Sequence, residues 1–482
     1  MAIPRVAGFP DAASLVRHLD ALGWPLPCDA TLLGAPESPL AAPLTVALEG
    51  VTRVVGNRFA IQPMEGWDGT LDGRPSDLTR RRWGNFGRSG AKLIWGGEAV
   101  AVVPEGRANP HQLLLNDDTA AEIAALRTLL LAAHHEAGHA THDLLIGLQL
   151  THSGRFARPH DKARLEPVVA YRHPWLDAKL GPTPEPMTDG AVGAVVSAFG
   201  RAARLAQQAG FHFVDLKCCH GYLGHEFLGA RQRPGPYGGA FENRTRFLRE
   251  CIAAVRQAAP GLGLAVRLSA FDLAPYVQNP ADGRGIPCTR AAYAHGFGVN
   301  PSDPAQPDLA EARRLLRELA DLGVRLINIS AGSPYYTPHI QRPALFPPSD
   351  GYLPPEDPLA GVARLLSAAR DLKAALPHST VVSSGWSYLQ EYLPQVAQAV
   401  VRAGWCDLVG LGRMVLSYPE LPQDVLRTGT LQRKRLCRTF SDCTTAPRQG
   451  LVSGCYPLDP FYKARPEARL VQRPVVKAGG GE

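Results

Sequence analysis

Apolar residues along the chain gather into short runs, and the segments between them repeat with a helical period. Eight runs are bounded by turn residues: Arg58–Met64, Lys92–Val102, Leu145–Leu150, Phe211–Cys218, Gly263–Ser269, Arg325–Ala331, Thr380–Gly385 and Asp407–Gly412. Most read as continuous apolar stretches rather than alternating ones, the signature of strands covered on both faces and hence of a parallel sheet. Between them, Asp118–Ala137, Ala191–Gln208, Phe241–Ala258, Asp308–Leu322, Pro358–Leu376 and Leu389–Arg402 predict helices, with a weaker one at Asp77–Arg88. Several end at a glycine (Gly138, Gly210, Gly323, Gly404), which tolerates the left-handed turn that stops a helix. Eight strands alternating with helices predict an α/β fold, a (β/α)8 TIM barrel. An open doubly wound sheet is the alternative, but eight units without a second domain favour closure.

The pattern divides the chain into an N-terminal cap at residues 1–45, with one helix over Asp11–Leu22, a barrel at residues 46–422 and a C-terminal extension at residues 423–482. Two long connections, Ala270–Asp308 and Gly332–Asp357, follow strands. Both therefore belong to the C-terminal face of the barrel, where active sites of this architecture lie.

Composition narrows the class. Of 482 residues, 45% are hydrophobic and 20% charged, the balance of a globular protein with a large core. The net charge of +7 is spread thinly, with short patches at Arg80–Arg82 and Arg433–Arg435, and predicts no nucleic-acid partner. The nine cysteines are odd in number and two are adjacent, which argues against a disulfide framework. The N-terminus, MAIPRVAGFPDAASLVRHL, has no unbroken apolar core and no run approaches membrane length. The expectation is a cytoplasmic protein with no membrane partner.

Chemistry is expected at strand ends. The fourth strand leads into VDLKCCHGYLGHEFL, which delivers Lys217, His220 and Tyr222 within six residues. Lys217 and His220 can donate to a developing oxyanion and Tyr222 carries a weakly acidic proton, a set suited to reducing a polarised double bond. Cys218 and Cys219 read as packed thiols. Gln149 and Arg267 end the third and fifth strands, and the last two strands end in SSGWS and VGLGRM. Glycine and serine there match the usual phosphate site of such barrels, with Arg413 to pair with the phosphate. Taken singly, Gly385 and Gly412 are also ordinary turn glycines and Arg413 an ordinary surface charge.

In chain order these motifs are more specific. NRFAIQPM, DGRPSD, GGEAVAV, QLTHSGR, HGYLGHEFL, YGGAFENRTRFLRE, VRLS and LGRMVL resemble the Old Yellow Enzyme family of NADH:flavin oxidoreductases, FMN-binding (β/α)8 barrels, from about Asn57 to Pro422. The resemblance implies that Pro63 and Met64 lie against the flavin ring, with Glu65 the next residue along, and that Ala99 approaches its pyrimidine edge. It implies that Gln149 hydrogen-bonds the ring and that Arg267 stabilises negative charge at the N1–O2 edge. Ser384, Gly385, Gly412 and Arg413 would cradle the ribityl phosphate. Tyr222 matches the family's proton donor and His220 the second member of its substrate-anchoring pair. Two positions depart from the family. The first anchoring residue is normally His and here is Lys217, a flexible point charge. The residue after Pro-Met is normally Thr or Cys and here is Glu65. An ionised carboxylate would disfavour the reduced anionic flavin, so Glu65 is protonated, turns outward, or lowers the flavin potential.

Two further motifs need placing. His135, Glu136 and His139 match H-E-x-x-H, the zinc-hydrolase spacing. Gly138 falls where that helix should end and no second ligand helix is evident, so no metal is assigned. Cys437, Cys443 and Cys455 sit where 2,4-dienoyl-CoA reductase and trimethylamine dehydrogenase, members of the family, carry a four-iron cluster on C-x2-C-x3-C-x11-C. The last interval fits, but Phe440 stands where a second cysteine is expected. Three thiolates fall short of the ligand set, and the segment reads as a degenerate cluster site kept as a packed appendage, with no 4Fe-4S cluster.

The expected activity is an FMN-dependent oxidoreductase of the ene-reductase kind, reduced by dissociable NAD(P)H and passing hydride to an activated alkene or a related small electron-poor molecule. The alternatives are a flavin- or ligand-binding barrel without efficient turnover, the reverse-direction flavin dehydrogenase and, remotely, the zinc hydrolase. Relatives are often dimeric or higher, which leaves homo-oligomerisation open.

Overall fold

A computed structural model describes residues 3–180, 183–291 and 293–472. Residues 1 and 2 of the expected cap and residues 473–482 of the expected extension lie outside the described residues. Eight parallel strands close into a barrel: β1 Phe59–Ile61, β2 in two segments (Leu93–Ile94 and Ala99–Ala101), β3 Leu145–Thr151, β4 Phe213–Cys218, β5 Gly263–Ser269, β6 Leu326–Ser330, β7 Thr380–Ser383 and β8 Leu408–Leu411. The order is sequential and β8 pairs back onto β1, Val409 opposite Phe59, so no edge is left open. Helices follow the strands in turn: α1 Asp77–Arg88, α2 Ala120–Glu136, α3 Asp189–Gln208, α4 Arg246–Ala258, α5 Ala310–Asp321, α6 Pro358–Lys373, α7 Leu393–Arg402 and α8 Leu421–Thr428.

The apolar runs conceal a two-residue alternation that layers the barrel. On β4, Val214, Leu216 and Cys218 face the helices and join the main core, whereas Phe213 belongs to a separate cluster inside the barrel with Ala60, Leu93, Leu145, Ala265, Leu326, Val382 and Leu408. Next up from Phe213 on the inner face come Asp215 and then Lys217. On β5 the inner series is Ala265, Arg267, Ser269. The lower barrel is thus dry and apolar, and the upper barrel is polar. Gly147 leaves room for the lower layer, since a Cβ there would lie 2.2 Å from Cζ of Phe213.

A β-hairpin, Leu44–Leu48 paired antiparallel with Val51–Val55, closes the lower end by placing Val46, Leu48 and Val55 in that same cluster. The hydrophobic pattern did not predict it, because four of the five residues of its second strand are exposed. The N-terminal helix, Ala12–Ala21, is capped by Asp11, whose carboxylate accepts from the Ser14 amide at 2.7 Å, and buries Leu15 and Leu19. The long connection after β5 contains a second small hairpin, Tyr276–Gln278 with Gly285–Pro287. It locks onto the connection after β6, where the amide of Tyr276 donates to the carbonyl of Tyr336 and the Tyr336 hydroxyl donates to Asp272 at 2.5 Å.

The H-E-x-x-H spacing does not build a site. Helix α2 ends at Glu136, and His135 and Glu136 are exposed. His139 lies beyond the helix and turns back so that its ring is 4.9 Å from that of His134, which is buried against Lys92 and the Gly87 carbonyl. Among the described residues no group of three or more His, Cys, Asp or Glu side chains is arranged to hold a metal ion, and no helix is long and apolar enough to cross a membrane.

Candidate active site

The upper end of the barrel opens into a cavity of about 520 Å³, within the usual range for a small-molecule site. Twelve of the thirteen residues expected at the site line it: Pro63, Met64, Glu65, Gln149, Lys217, His220, Tyr222, Arg267, Ser384, Gly385, Gly412 and Arg413. Ala99 is the exception. It is fully buried, pairs with Gln149 across β2 and β3, and its carbonyl accepts from the Gln112 carboxamide at 2.8 Å, so it stays behind the cavity wall.

The floor is a polar network that the sequence did not foretell. Asp215 is fully buried on β4 and accepts from Gln149 Nε2 at 2.5 Å, from Trp95 Nε1 at 2.6 Å and from the Arg267 amide at 2.6 Å. Burial raises its carboxyl to about pH 6, against the pull of those donors and of the Arg267 charge. With its amino group engaged, Gln149 has its carbonyl oxygen left to accept. Arg267 donates to the Pro63 carbonyl at 3.3 Å, and its Nε is buried without a partner among the described residues. On the other side, Gln62 and Asn328 exchange hydrogen bonds of 3.2 and 2.6 Å, and Gln62 also reaches Ser384 Oγ at 3.1 Å. Gly410 is required beside them, because a Cβ there would lie 1.9 Å from Gln62 Nε2. Gln62 lies inside the motif NRFAIQPM, one residue before the expected Pro63. Only the three-dimensional pairing with β6 marks it.

The β4 end forms one wall. His220 has a φ of +66°, the left-handed region that a non-glycine residue enters only under constraint. The constraint is visible: its amide donates to Ser269 Oγ at 3.0 Å and its carbonyl accepts from Ser333 Oγ at 2.9 Å. The ring sits 2.8 Å from Ser330 Oγ, and burial with the nearby Arg267 and Lys217 charges keeps it neutral. Lys217 places its ammonium 3.8 Å from Glu65 Oε2 and 3.6 Å from the centre of the Tyr222 ring. Burial lowers its pKa, with Glu65 opposing. The Tyr222 hydroxyl donates to Glu65 and lies 3.1 Å from the Tyr335 hydroxyl. Burial, then Glu65, holds that phenol well above its ordinary pKa. Glu65 therefore neither turns outward nor stands alone. It joins Lys217 and Tyr222 in one cluster.

The C-terminal extension is part of the site rather than an appendage. Cys443, Thr444, Pro447, Arg448, Ser453, Gly454, Cys455 and Tyr462 line the cavity opposite the barrel. The segment is pinned to α1 by Arg81, which is bidentate to Asp459 at 2.9 and 3.0 Å and lies over the Phe461 ring at 4.3 Å.

The floor and the phosphate cradle fit a flavin mononucleotide. Arg267 and Arg413 line the cavity, and each keeps one buried guanidinium nitrogen without a partner among the described residues. After β7, Gly385 takes a φ of +97° with its Cβ position against Leu365, and after β8, Gly412 leaves the backbone bare where an anion could approach. Residues 52–288 match the NADH:flavin oxidoreductase / NADH oxidase family. An NADPH dehydrogenase of Geobacillus thermodenitrificans (strain NG80-2) is 30% identical over 330 residues, 67% of this chain and 76% of that protein. The chain belongs to this family. Another NADPH dehydrogenase, from Geobacillus sp. (strain WCH70), is 28% identical over 391 residues, 80% of this chain and 93% of that one. Solved structures agree on the fold. The Old Yellow Enzyme homologue of Zymomonas mobilis superposes with a TM-score of 0.54 at 20% identity, over 82% of this chain and 94% of that one. A 2-naphthoyl-CoA reductase superposes with a TM-score of 0.63 at 18% identity over 88% of this chain, which spans 57% of that longer protein. The protein is thus an FMN-dependent NAD(P)H oxidoreductase of the Old Yellow Enzyme type, acting on small molecules.

Proposed function

We propose that this oxidoreductase reduces an electron-poor alkene conjugated to a carbonyl group. The observation that carries the reading is the convergence of Lys217, His220 and Tyr222 from one strand end onto one wall of the cavity, above the Gln149–Asp215–Arg267 floor. FMN, when bound, would supply the hydride chemistry between a nicotinamide donor and the acceptor. Gln149 would hold the ring through its carbonyl oxygen, Arg267 would offset negative charge at the ring edge, and Ser384, Gly385, Gly412 and Arg413 would hold the phosphate.

The chain's own residues bind, polarise and protonate. The Lys217 ammonium and a neutral His220 N–H donate to the acceptor's carbonyl oxygen as negative charge develops there. Tyr222 gives its phenolic proton to the neighbouring carbon. The phenolate left behind is stabilised by the ammonium 3.6 Å from its ring and by the Tyr335 hydroxyl at 3.1 Å, both present before reaction. Glu65 supports the Lys217 charge in a buried wall, and the hydrogen bond it accepts from the phenol must give way before Tyr222 delivers its proton.

Stopped-flow measurement of the two half-reactions tests this. Tyr222→Phe is expected to slow transfer to the alkene by about 10²- to 10⁴-fold, the worth of a positioned acid, and to slow bleaching of the flavin by NADPH far less. Equal slowing of both steps would remove Tyr222 from the role.

A further inference from the structure

The cavity holds more positive charge than its own anions offset. Arg81 is paired with Asp459, Arg82 with Asp68 and Glu98, and Lys217 with Glu65. Arg158 and Lys162, on the connection after β3, line the same cavity, and their side chains have no hydrogen bond or ion pair among the described residues. Arg448, from the C-terminal extension, pairs through Nε with Asp350 at 2.7 Å but leaves Nη1 buried and unpartnered. Arg342, hydrogen-bonded to Thr444, lies close enough to Arg448 and Arg413 that burial and those two charges bring its pKa down to about 9. Half-buried cations gathered on one cavity wall without enough carboxylates to pair them favour an anionic ligand there.

Two ends of this charge can be told apart. Arg413 sits with Ser384, Gly385 and Gly412, where the FMN phosphate is expected. Arg158 and Arg448 sit around Tyr335 instead. Arg448 Nη2 reaches the carbonyl of Pro334 at 3.5 Å. Arg158 follows Phe156, whose ring stacks on that of Tyr335 at 4.0 Å. Both charges act on the Tyr335 hydroxyl, which is 3.1 Å from that of Tyr222. We propose that Arg158 and Arg448, with Lys162 beside them, clamp an anionic group on the acceptor itself, in the simplest case a carboxylate remote from the reacting double bond. A planar guanidinium with free N–H groups matches a carboxylate, and Arg158 has its whole fork available. The clamp joins a barrel loop to the extension, so the segment after the barrel acts in substrate selection. The inference rests on Tyr222 marking the reacting end of the acceptor.

The test uses the FMN-loaded protein and matched probes: 4-(3-oxobut-1-enyl)benzoate and its methyl ester as acceptors, whose carboxylate lies across the ring from the enone, and the saturated 4-(3-oxobutyl)benzoate and its methyl ester as non-reacting ligands read by the flavin absorbance. The wild type is expected to bind the saturated acid at least about tenfold more tightly than its ester, and to show the same preference in kcat/KM for the unsaturated pair. Arg158→Gln and Arg448→Gln should each cut the acid-to-ester ratio about tenfold, and Lys162→Gln should cut it less. An acid-to-ester ratio near one in the wild type would overturn the proposal. So would variants that weaken NADPH or FMN binding while leaving the ratio intact, which would assign these charges to the phosphates of the donor or the cofactor. Tight, ratio-sensitive binding of the saturated acid with no turnover of any alkene would sustain the clamp and refute the proposed reaction.

Discussion

Asparagine at position 215 would isolate the electrostatic cost of the carboxylate at the centre of the barrel. Asp215 is fully buried, and its carboxyl is raised from 3.8 to about 6 by burial although three donors and Arg267 favour the ionised form. That displacement corresponds to about 3 kcal/mol of linked folding free energy. A pKa higher in the folded than in the unfolded chain gives a contribution that is fully present below about pH 3.8 and is lost as pH rises through about 6. The wild type therefore gives up about 3 kcal/mol at this site on the way to neutrality, and Asp215→Asn, which cannot ionise, does not. The variant also turns an amide nitrogen toward the donors of Gln149, Trp95 or the Arg267 backbone, a pH-independent cost of about 1–3 kcal/mol. Urea unfolding of both proteins between pH 4 and 7, with FMN in excess, separates the two effects. The fixed cost offsets the curves, and the linkage makes the stability of the variant relative to wild type climb by about 2–3 kcal/mol from pH 4 to pH 7. A relative stability that falls over the same range would mean that the donors and Arg267 outweigh burial and hold the carboxylate ionised, refuting the reasoning.

Two more expectations concern residues that the fold places in unusual surroundings. Because burial lowers the pKa of Lys217 from its ordinary 10.5, the alkaline limb of kcat/KM for the acceptor should lie below pH 10.5, and Lys217→Arg should move that limb upward while lowering the plateau. A limb that stays in place would show that Lys217 does not set it. Gly147→Ala would put a Cβ 2.2 Å from Phe213 inside the dry lower layer, and should cost about 1–3 kcal/mol in urea unfolding through overpacking. A loss under about 0.5 kcal/mol would show that the layer can relax.

Lys217, His220 and Tyr222 were legible because the chain carries them within six residues at the end of one strand, so local backbone geometry alone brings them to one wall. Glu65 was legible as an oddity but not as a partner. Its meeting with Tyr222 and Lys217 joins the first strand's end to the fourth, across the barrel mouth, and no local pattern encodes that distance. Asp215 and Gln62 were overlooked for the converse reason. Each sits in a run read as continuously apolar, and the inner face that makes them neighbours of Gln149 and Asn328 exists only once the sheet has closed. The extension's part in the cavity is hidden in the sequence because its three cysteines fall short of a ligand set and its cavity-lining residues form no motif. Arg448, two residues before a glycine in an otherwise unremarked stretch, carries no signal until Asp350 and Pro334 are brought beside it.

The sequence by itself determined the architecture and the reaction class. Both are written in short-range patterns: two-sided apolar strands spaced by helices, and motifs whose reactive groups sit a few residues apart. The tertiary structure alone decided the charge states and the company of those groups. Neutral His220, the raised carboxyl of Asp215, the Glu65–Tyr222–Lys217 cluster and the arginines around Tyr335 all depend on desolvation and on charges contributed by distant strands and loops, and both arise only when the barrel closes and the C-terminal extension packs across its mouth.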